Sequence, residues 1–261
     1  MPAAAVDDPA HAEIAIVSAM PLELGAFLKR CERVRQYSGH DFVFRGGVYD
    51  GIRVVVVESG AGRKRAARAA HAVLDAHSPK WILSCGFTGG LQPAVKVGQI
   101  VVADAVLGPE GERLVLQTNM KSDPARGLHV GPLFTGDHIV RTVAGKKQLA
   151  DATGAVAVDM ESLAVAQVCR ERQVPCLVVR AVTDDCTTDL PAEAMTLFGE
   201  TGTVRMGAVV GALWRRPGSL SDLWKLREQA AKAAESLASF LDGVLIQLHK
   251  ATNAETGTLP S

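Results

Sequence analysis

The sequence predicts an α/β fold: one domain with a central mixed β-sheet flanked by helices, closed by a helical C-terminus. Three observations carry this. Short, nearly continuous apolar runs alternate with segments whose apolar residues recur every three or four positions, the order expected of repeated strand–helix–strand units. No Pro- or Gly-rich linker divides the 261 residues, so one domain is more economical than two. Roughly the last sixty residues are helical in pattern, ending in "LSDLWKLREQAAKAAESLASFLDGVLIQLH".

"EIAIVSAM" (13–20) reads as a buried strand, and "PLELGAFLKRCERV" as a helix with Pro21 at its opening. "DFVFRGGVYDGIRVVVVESG" reads as two strands joined at Asp50 and Gly51, a pair that tolerates positive φ. An alanine-rich helix follows, entered through Gly60 and Gly62 and broken at Pro79 before the strand "KWILSCG". "VGQIVVADAVL" is a further strand, while residues 107–132 are polar, rich in breakers and expected to form a long loop. "TGDHIVRTVAGKKQLADATG" is helical in pattern, then come strand "AVAV", helix "MESLAVAQVCRERQ" and the β-branched strand "PCLVVRAVTDD". Residues 13–250 are thus expected to form the domain, 1–12 a disordered tail and 251–261 a polar tail.

Composition excludes several classes of function. Lys plus Arg (28) balances Asp plus Glu (28), so no global field draws the chain to nucleic acid or an anionic membrane. No apolar run approaches a membrane-spanning length, and the start "MPAAAVDDPAHAE" has acids where a signal peptide has basic residues. The five cysteines are scattered without metal-type spacing, several of them in apolar runs, which fits a reduced cytoplasm and no metal.

In sheets of this kind ligands bind at the carboxyl ends of strands. Five segments end there: "SAMPLE", "ESGAG", "SCGFTGG", "VDMES" and "RAVTDD". Taken singly, their charged residues have simple explanations. Glu161 reads as a first-turn acid favoured by the helix dipole, Asp184 and Asp185 as a solvated pair, Glu23 as an exposed helix residue, and Arg63, Lys64 and Arg65 as a solvated helix face beside a possible anion site. A carboxylate in the otherwise apolar stretch around Glu161 can also accept two hydrogen bonds from vicinal hydroxyls such as those of ribose.

In order, "IAIVSAMPLE", "ESGAGRKRAA", "SCGFTGGLQPAVKVGQIVVAD", "TGDHIV", "VDMESLAVAQVC" and "VPCLVVRAVTDD" resemble segments of 5'-methylthioadenosine/S-adenosylhomocysteine nucleosidases, within the nucleoside phosphorylase and nucleosidase superfamily. The resemblance spans nearly the whole chain. It implies that Glu161 binds the ribose 2'- and 3'-hydroxyls, with Met160 packed on the sugar. Asp184 would protonate the purine at N7, and Glu23 would orient and deprotonate water. Met20, Phe87 and Gly89 would lie near ribose and base, while the backbone of Ile139 and Val140 would read the adenine edge.

A glycosidic bond to adenine breaks through an oxocarbenium-like sugar as the base gains a proton. Partial burial beside the neighbouring acid Asp185 is expected to push the pKa of Asp184 upward to suit that task. An ionised Glu23 beside the anomeric carbon would activate water and repel phosphate, which favours hydrolysis, although the Arg63 cluster keeps phosphorolysis open.

The resemblance has gaps. The family usually has an aromatic residue after "TGD", where this chain has His138 and Ile139; Phe87 is the available aromatic face. The end "ALWRRPGSLSDLW" resembles a branch that includes hopanoid-associated nucleoside phosphorylases, and Trp214, Trp224 and the adjacent arginines are candidates for packing or for a membrane surface. The expected activity is therefore hydrolysis of 5'-substituted adenosines (5'-methylthioadenosine, S-adenosylhomocysteine or 5'-deoxyadenosine). The alternatives are a phosphorylase of the same fold, including one for adenosylhopane, and a silent nucleoside-binding module. No cofactor is implied, and the expected partners are the nucleoside substrate and a second copy in a homodimer.

Overall fold

The structure, a computed structural model, describes residues 11–39, 41–190 and 219–256, with the side chains of 219–223 and 255–256 excepted. Trp214 and its neighbouring arginines lie outside these residues. The chain begins with β1 (Ile14–Ser18) and α1 (Pro21–Leu28), followed by β2 (Glu32–Gly39), β3 (Phe42–Tyr49) and β4 (Ile52–Glu58). Next come α2 (Arg63–His77), β5 (Trp81–Gly90), β6 (Ile100–Leu107) and β7 (Arg113–Val115), then a 3₁₀ turn (Pro124–Arg126) and β8 (Leu128–Thr135). The chain continues through α3 (Val143–Thr153), β9 (Ala157–Asp159), α4 (Ser162–Glu171) and β10 (Cys176–Asp184) to the long α5 (Ser219–Thr256), which carries helix past residue 250.

Every residue of β1 is buried, because the strand is covered on both faces. Ile14 and Ile16 pack with Leu24 and Phe27 of α1 and with Leu237 and Leu241 of α5. Ala15 and Val17 point the other way, into α2 and α4. Alternate side chains of one strand thus feed two helical layers, so the strand sequence is a continuous apolar run rather than an alternation.

The mixed sheet runs β10-β6-β8-β9-β5-β1-β4-β3-β2, with β7 on β6 and β10 also paired to β5. The strands β5, β10, β6, β8 and β9 therefore close on one another, and β1, β4, β3 and β2 extend as an open wing. The ten-residue β5 makes both possible. Its first half lies parallel to β1 (Ile14↔Trp81 through Val17↔Ser84), and its last two residues, Gly89 and Gly90, pair antiparallel with β9. Where β1 ends and β9 takes its place, the sheet parts, and the site lies at that fork.

Three segments differ from expectation. The helix begun at Pro21 stops at Leu28, and Glu32–Gly39 is the edge strand β2, whose residues are nearly all exposed and which is held by backbone pairing to β3. The expected loop over 107–132 contains β7 and the start of β8. Pro132 sits in β8 at an irregularity in its pairing with β6, between Ala103 and Ala105, the kind of position where a strand tolerates proline. Residues 136–142 are not helical, and α3 starts only at Val143, where the Thr142 side chain accepts from Gly145 N–H. The turn at Asp50 (φ 48°) and Gly51 (φ 79°) joins β3 to β4, the positive-φ pair that such a hairpin requires.

Candidate active site

All nine expected site residues, Met20, Glu23, Phe87, Gly89, Ile139, Val140, Met160, Glu161 and Asp184, line one cavity of about 530 Å³ at the fork of the sheet. They come from five separate stretches of chain: the start of α1, the end of β5, the loop before α3, the β9–α4 junction and the last residue of β10.

Glu23 is 3% exposed, not the surface helix residue that its position alone suggests. It sits in the first turn of α1 and folds back over the helix start. Its Oε2 accepts from Ser18 Oγ at 2.6 Å and from the N–H groups of Ala19 (2.8 Å) and Met20 (2.9 Å). Oε1 accepts from Phe87 N–H at 2.9 Å. The carboxylate is thus anchored by one oxygen, while the other keeps lone-pair capacity for a further donor. Gly86 leaves it room: a Cβ there would lie 2.7 Å from Oε1.

The "DME" of the β9–α4 junction splits into two unlike acids. Asp159 is structural: it is buried and accepts from Arg180 Nε (2.7 Å), Thr135 Oγ1 (2.8 Å) and Ser162 Oγ (2.5 Å). Arg180, also buried, extends its guanidinium to Ser84 Oγ at 2.9 Å. Glu161 instead faces the cavity at the N-cap of α4, with Oε1 2.7 Å from Gly62 N–H at the start of α2. Burial, and next the charge of Asp159, push the pKa of Glu161 from 4.5 up to about 8, against the pull of Arg180 and of the Gly62 N–H.

A carboxyl raised in this way contributes stability that is complete below pH 4.5, its unfolded value, and is lost as pH rises through about 8. The ligand-free protein is therefore expected to lose a few degrees of Tm between pH 5 and 8. Glu161→Gln, which stays neutral throughout, is expected to flatten that decline; an equally steep decline in the variant would assign it to other groups.

Asp184 ends β10 at an irregularity in the pairing with β5, where the register shifts between Val182 and Asp184. Such bulges re-aim a side chain. Gly89 lies directly beside it, and a Cβ there would sit 3.0 Å from Asp184 Oδ2. Thr183 Oγ1 donates to Oδ1 at 2.8 Å. Here the structure corrects the reading that Asp185 tunes this acid. The Asp185 carboxylate is taken up by Thr187 N–H (2.9 Å) and Oγ1 (2.5 Å), with Lys96 Nζ at 3.5 Å. Desolvation raises the Asp185 pKa, but the Thr187 hydrogen bonds and Lys96 outweigh it and hold the group below the usual aspartate value. The charged neighbour of Asp184 is Lys146, whose Nζ lies 2.5 Å from Oδ2 and 2.7 Å from the Asp185 carbonyl oxygen.

Lys146, Arg180 and Ser18 are the site groups that sequence reasoning missed. Arg180 left a signal, a lone cation in the apolar run "CLVVRAV". Lys146 left none, because it stands beside the solvent-exposed Lys147 in an ordinary amphipathic pattern.

Both arginines of the Arg63 cluster are paired. Arg63 Nε donates to Asp137 Oδ1 (2.9 Å) and its Nη1 approaches Glu112 (3.5 Å), while Arg65 Nε donates to the Ser59 carbonyl at 2.8 Å. The cavity wall holds the acids Glu23, Asp137, Asp159, Glu161 and Asp184, and among the described residues that line it the one basic side chain is His138. Among the described residues no group of three or more His, Cys, Asp or Glu is placed to hold a metal ion, and no helix is long and apolar enough to cross a membrane.

Residues 13–126 and 109–215 match the profile of the Phosphorylase superfamily. A 5'-methylthioadenosine/S-adenosylhomocysteine nucleosidase of Anoxybacillus flavithermus is 28% identical over 199 residues, covering 66% of this chain and 84% of the relative. The Bacillus subtilis protein of the same description is 26% identical over 196 residues, with 66% and 85% covered. Among solved structures, the Helicobacter pylori 5'-methylthioadenosine/S-adenosylhomocysteine nucleosidase with butyl-thio-DADMe-Immucillin-A superposes with a TM-score of 0.70 at 20% identity, over 91% of this chain and 99% of the other. Futalosine hydrolase of the same organism superposes with a TM-score of 0.69 at 20% identity, over 90% and 98%. These two share the fold.

Proposed function

The chain belongs to the Phosphorylase superfamily, and on that premise we propose that it hydrolyses the N-glycosidic bond of 5'-substituted adenosines, 5'-methylthioadenosine and S-adenosylhomocysteine foremost, releasing adenine. The observation that carries this reading is the convergence of Glu23, Glu161 and Asp184 on one cavity from three distant stretches of chain. The names of the relatives support the same substrate class.

In this reading the ribose diol donates to Glu161, with Met160 against the sugar. Met20 and Phe87 bound the remainder of the pocket together with Gly89, and Ile139 and Val140 meet the base. Asp184 delivers a proton to the departing purine, the electron pair of the glycosidic bond goes to the base, and the sugar becomes oxocarbenium-like. Water adds at the anomeric carbon as a free lone pair of Glu23 Oε1 takes its proton.

Water is favoured over phosphate by charge. A dianion entering the cavity meets the Glu23 carboxylate, while the nearby Arg63 is already paired to Asp137, Arg180 to Asp159 and Lys146 to Asp184, so none of these three cations is open to offset the repulsion. In phosphate-free buffer the protein is expected to release adenine and free 5-substituted ribose from 5'-methylthioadenosine, at a rate that added phosphate leaves unchanged. Product that is ribose 1-phosphate, formed only when phosphate is present, would establish the phosphorylase reading instead. Tight binding of adenosines without any turnover would establish the binding module.

We also place the protein in the cytoplasm, in the salvage of methionine-derived nucleosides, as a homodimer. All five cysteines are free thiols, in keeping with a reducing compartment. Trp224, 68% exposed near the start of α5, and Val115, 72% exposed on β7, are apolar surface that a second copy can cover.

A further inference from the structure

Lys146 has a side-chain exposure of 0%, at the back of the cavity wall against Asp184. Long cationic side chains are almost never fully buried unless paired, and burying an ion pair gains little stability over an apolar pair of the same volume. A buried lysine behind this acid therefore calls for another account.

Three cation–carboxylate pairs involve the carboxylates lining the cavity among the described residues: Arg180–Asp159, Arg63–Asp137 and Lys146–Asp184. A guanidinium holds its protons throughout the range in which proteins work, whereas an ammonium can give one up. The pair at Asp184 is thus the one whose cation can transfer a proton. It is also the pair placed where, on the reading given above, the leaving base needs one. Lys146 approaches from the rear of the carboxylate and does not itself line the cavity, so anything it does for the base passes through Asp184.

We propose that Lys146 is a positioning residue that supplies the proton which Asp184 passes to the leaving purine. In the resting pair the mobile proton resides on Nζ. As the glycosidic bond lengthens, an Nζ–H bond breaks and an O–H bond forms on the carboxyl group of Asp184; that O–H bond then breaks as N–H forms on the base. Lys146 is left as a neutral amine, donating one of its remaining N–H groups to the same oxygen. The proton that water gives to Glu23 returns to solvent, and Lys146 takes one back after product leaves. The sum is water plus nucleoside giving free sugar plus purine, with no other reactant.

The Asp185 carbonyl oxygen, 2.7 Å from Nζ, fixes the direction of the lysine and holds the ammonium against the carboxylate. Through this one side chain α3 is tied to the end of β10. This inference rests on the glycosidase reading, and the experiment separates the two.

The test compares wild type with Lys146→Met and Lys146→Arg on two substrates: 5'-methylthioadenosine, whose base needs a proton to leave, and p-nitrophenyl β-D-ribofuranoside, whose phenolate does not. Lys146→Met is expected to lower kcat for adenine release by about 10²-fold, with KM changed less than about threefold and the aryl riboside rate within about threefold of wild type. Lys146→Arg keeps the positive charge but has no proton to give, so it is expected to remain slow on 5'-methylthioadenosine; this comparison decides the matter even if the aryl riboside is a poor substrate. Restoration of adenine release by Lys146→Arg to near the wild-type rate would overturn the relay, leaving charge alone as the role of Lys146. Equal loss on both substrates, or variants that no longer bind adenine, would make the lysine structural and overturn it too. Wild type that releases no adenine from any 5'-substituted adenosine would sink the glycosidase reading itself.

Discussion

Asp184→Asn is expected to reduce kcat for adenine release by about 10²–10⁴-fold, the usual contribution of a positioned general acid. The amide keeps the shape of the carboxyl group and can still accept from Thr183 Oγ1, which donates to Oδ1 at 2.8 Å, but it has no acidic proton to lend. The substitution has a second consequence that follows from Lys146. With the carboxylate gone, a buried ammonium faces a neutral amide, and breaking a buried pair at one partner commonly costs about 3–5 kcal/mol. Because Asp184 retains 13% side-chain exposure, the lower end of that range is the better expectation. Loss of turnover and loss of Tm are thus expected together, and they are separable: Asp184→Asn with Lys146→Met removes the unpaired charge, so it is expected to recover stability without recovering turnover. Steady-state rates and thermal melts on the single and double variants check both parts. A single variant that turns over at the wild-type rate would remove Asp184 from the mechanism.

Glu23→Gln is expected to have an effect of similar size on kcat, about 10²–10⁴-fold, for a different physical reason. Glu23 is met by four donors: three at Oε2 and the Phe87 N–H at Oε1. A glutamine can place its oxygen on one side only. With the oxygen at the three-donor side, its NH₂ group confronts the Phe87 N–H, an unsatisfied and repulsive contact in a buried position that costs about 1–3 kcal/mol. The group meant to take the proton from water is then itself a donor. On the proposed reading the base lies by Asp184, Ile139 and Val140, so binding of free adenine is expected to change little. Calorimetric titration with adenine, alongside the hydrolysis rate, separates lost chemistry from a collapsed pocket; unchanged hydrolysis would show that water is activated elsewhere.

The large features of this protein were legible in its residues because each rests on a local rule. A run such as "IAIVS" can only be buried, and a helix entered by Pro21 or through Gly60 and Gly62 declares its start. The edge strand β2 reads as helix because an exposed strand has no continuous apolar face to display and follows the helix within a few residues; what holds it is backbone hydrogen bonding to β3, with Tyr37 stacked on Phe44. The first part of β8 was taken for loop because Gly131 and Pro132 punctuate it, and only its place in the sheet tolerates them. Among site residues, those on strand ends and helix starts stood out by type and order, and all of them line the cavity. Their electrostatic partners did not stand out.

What the sequence determined by itself was the kind of fold, the order of its elements and the short list of acids at their ends, since periodicity and chain breakers act over a few residues. Only the tertiary structure decided which charge meets which. It seats Arg180 on Asp159 and carries Lys146 across to Asp184. Ionic contacts reach a few ångströms through space and take no account of separation along the chain, so a lysine 38 residues before its partner can meet an acid while looking, in sequence, like any other residue on a wetted helix.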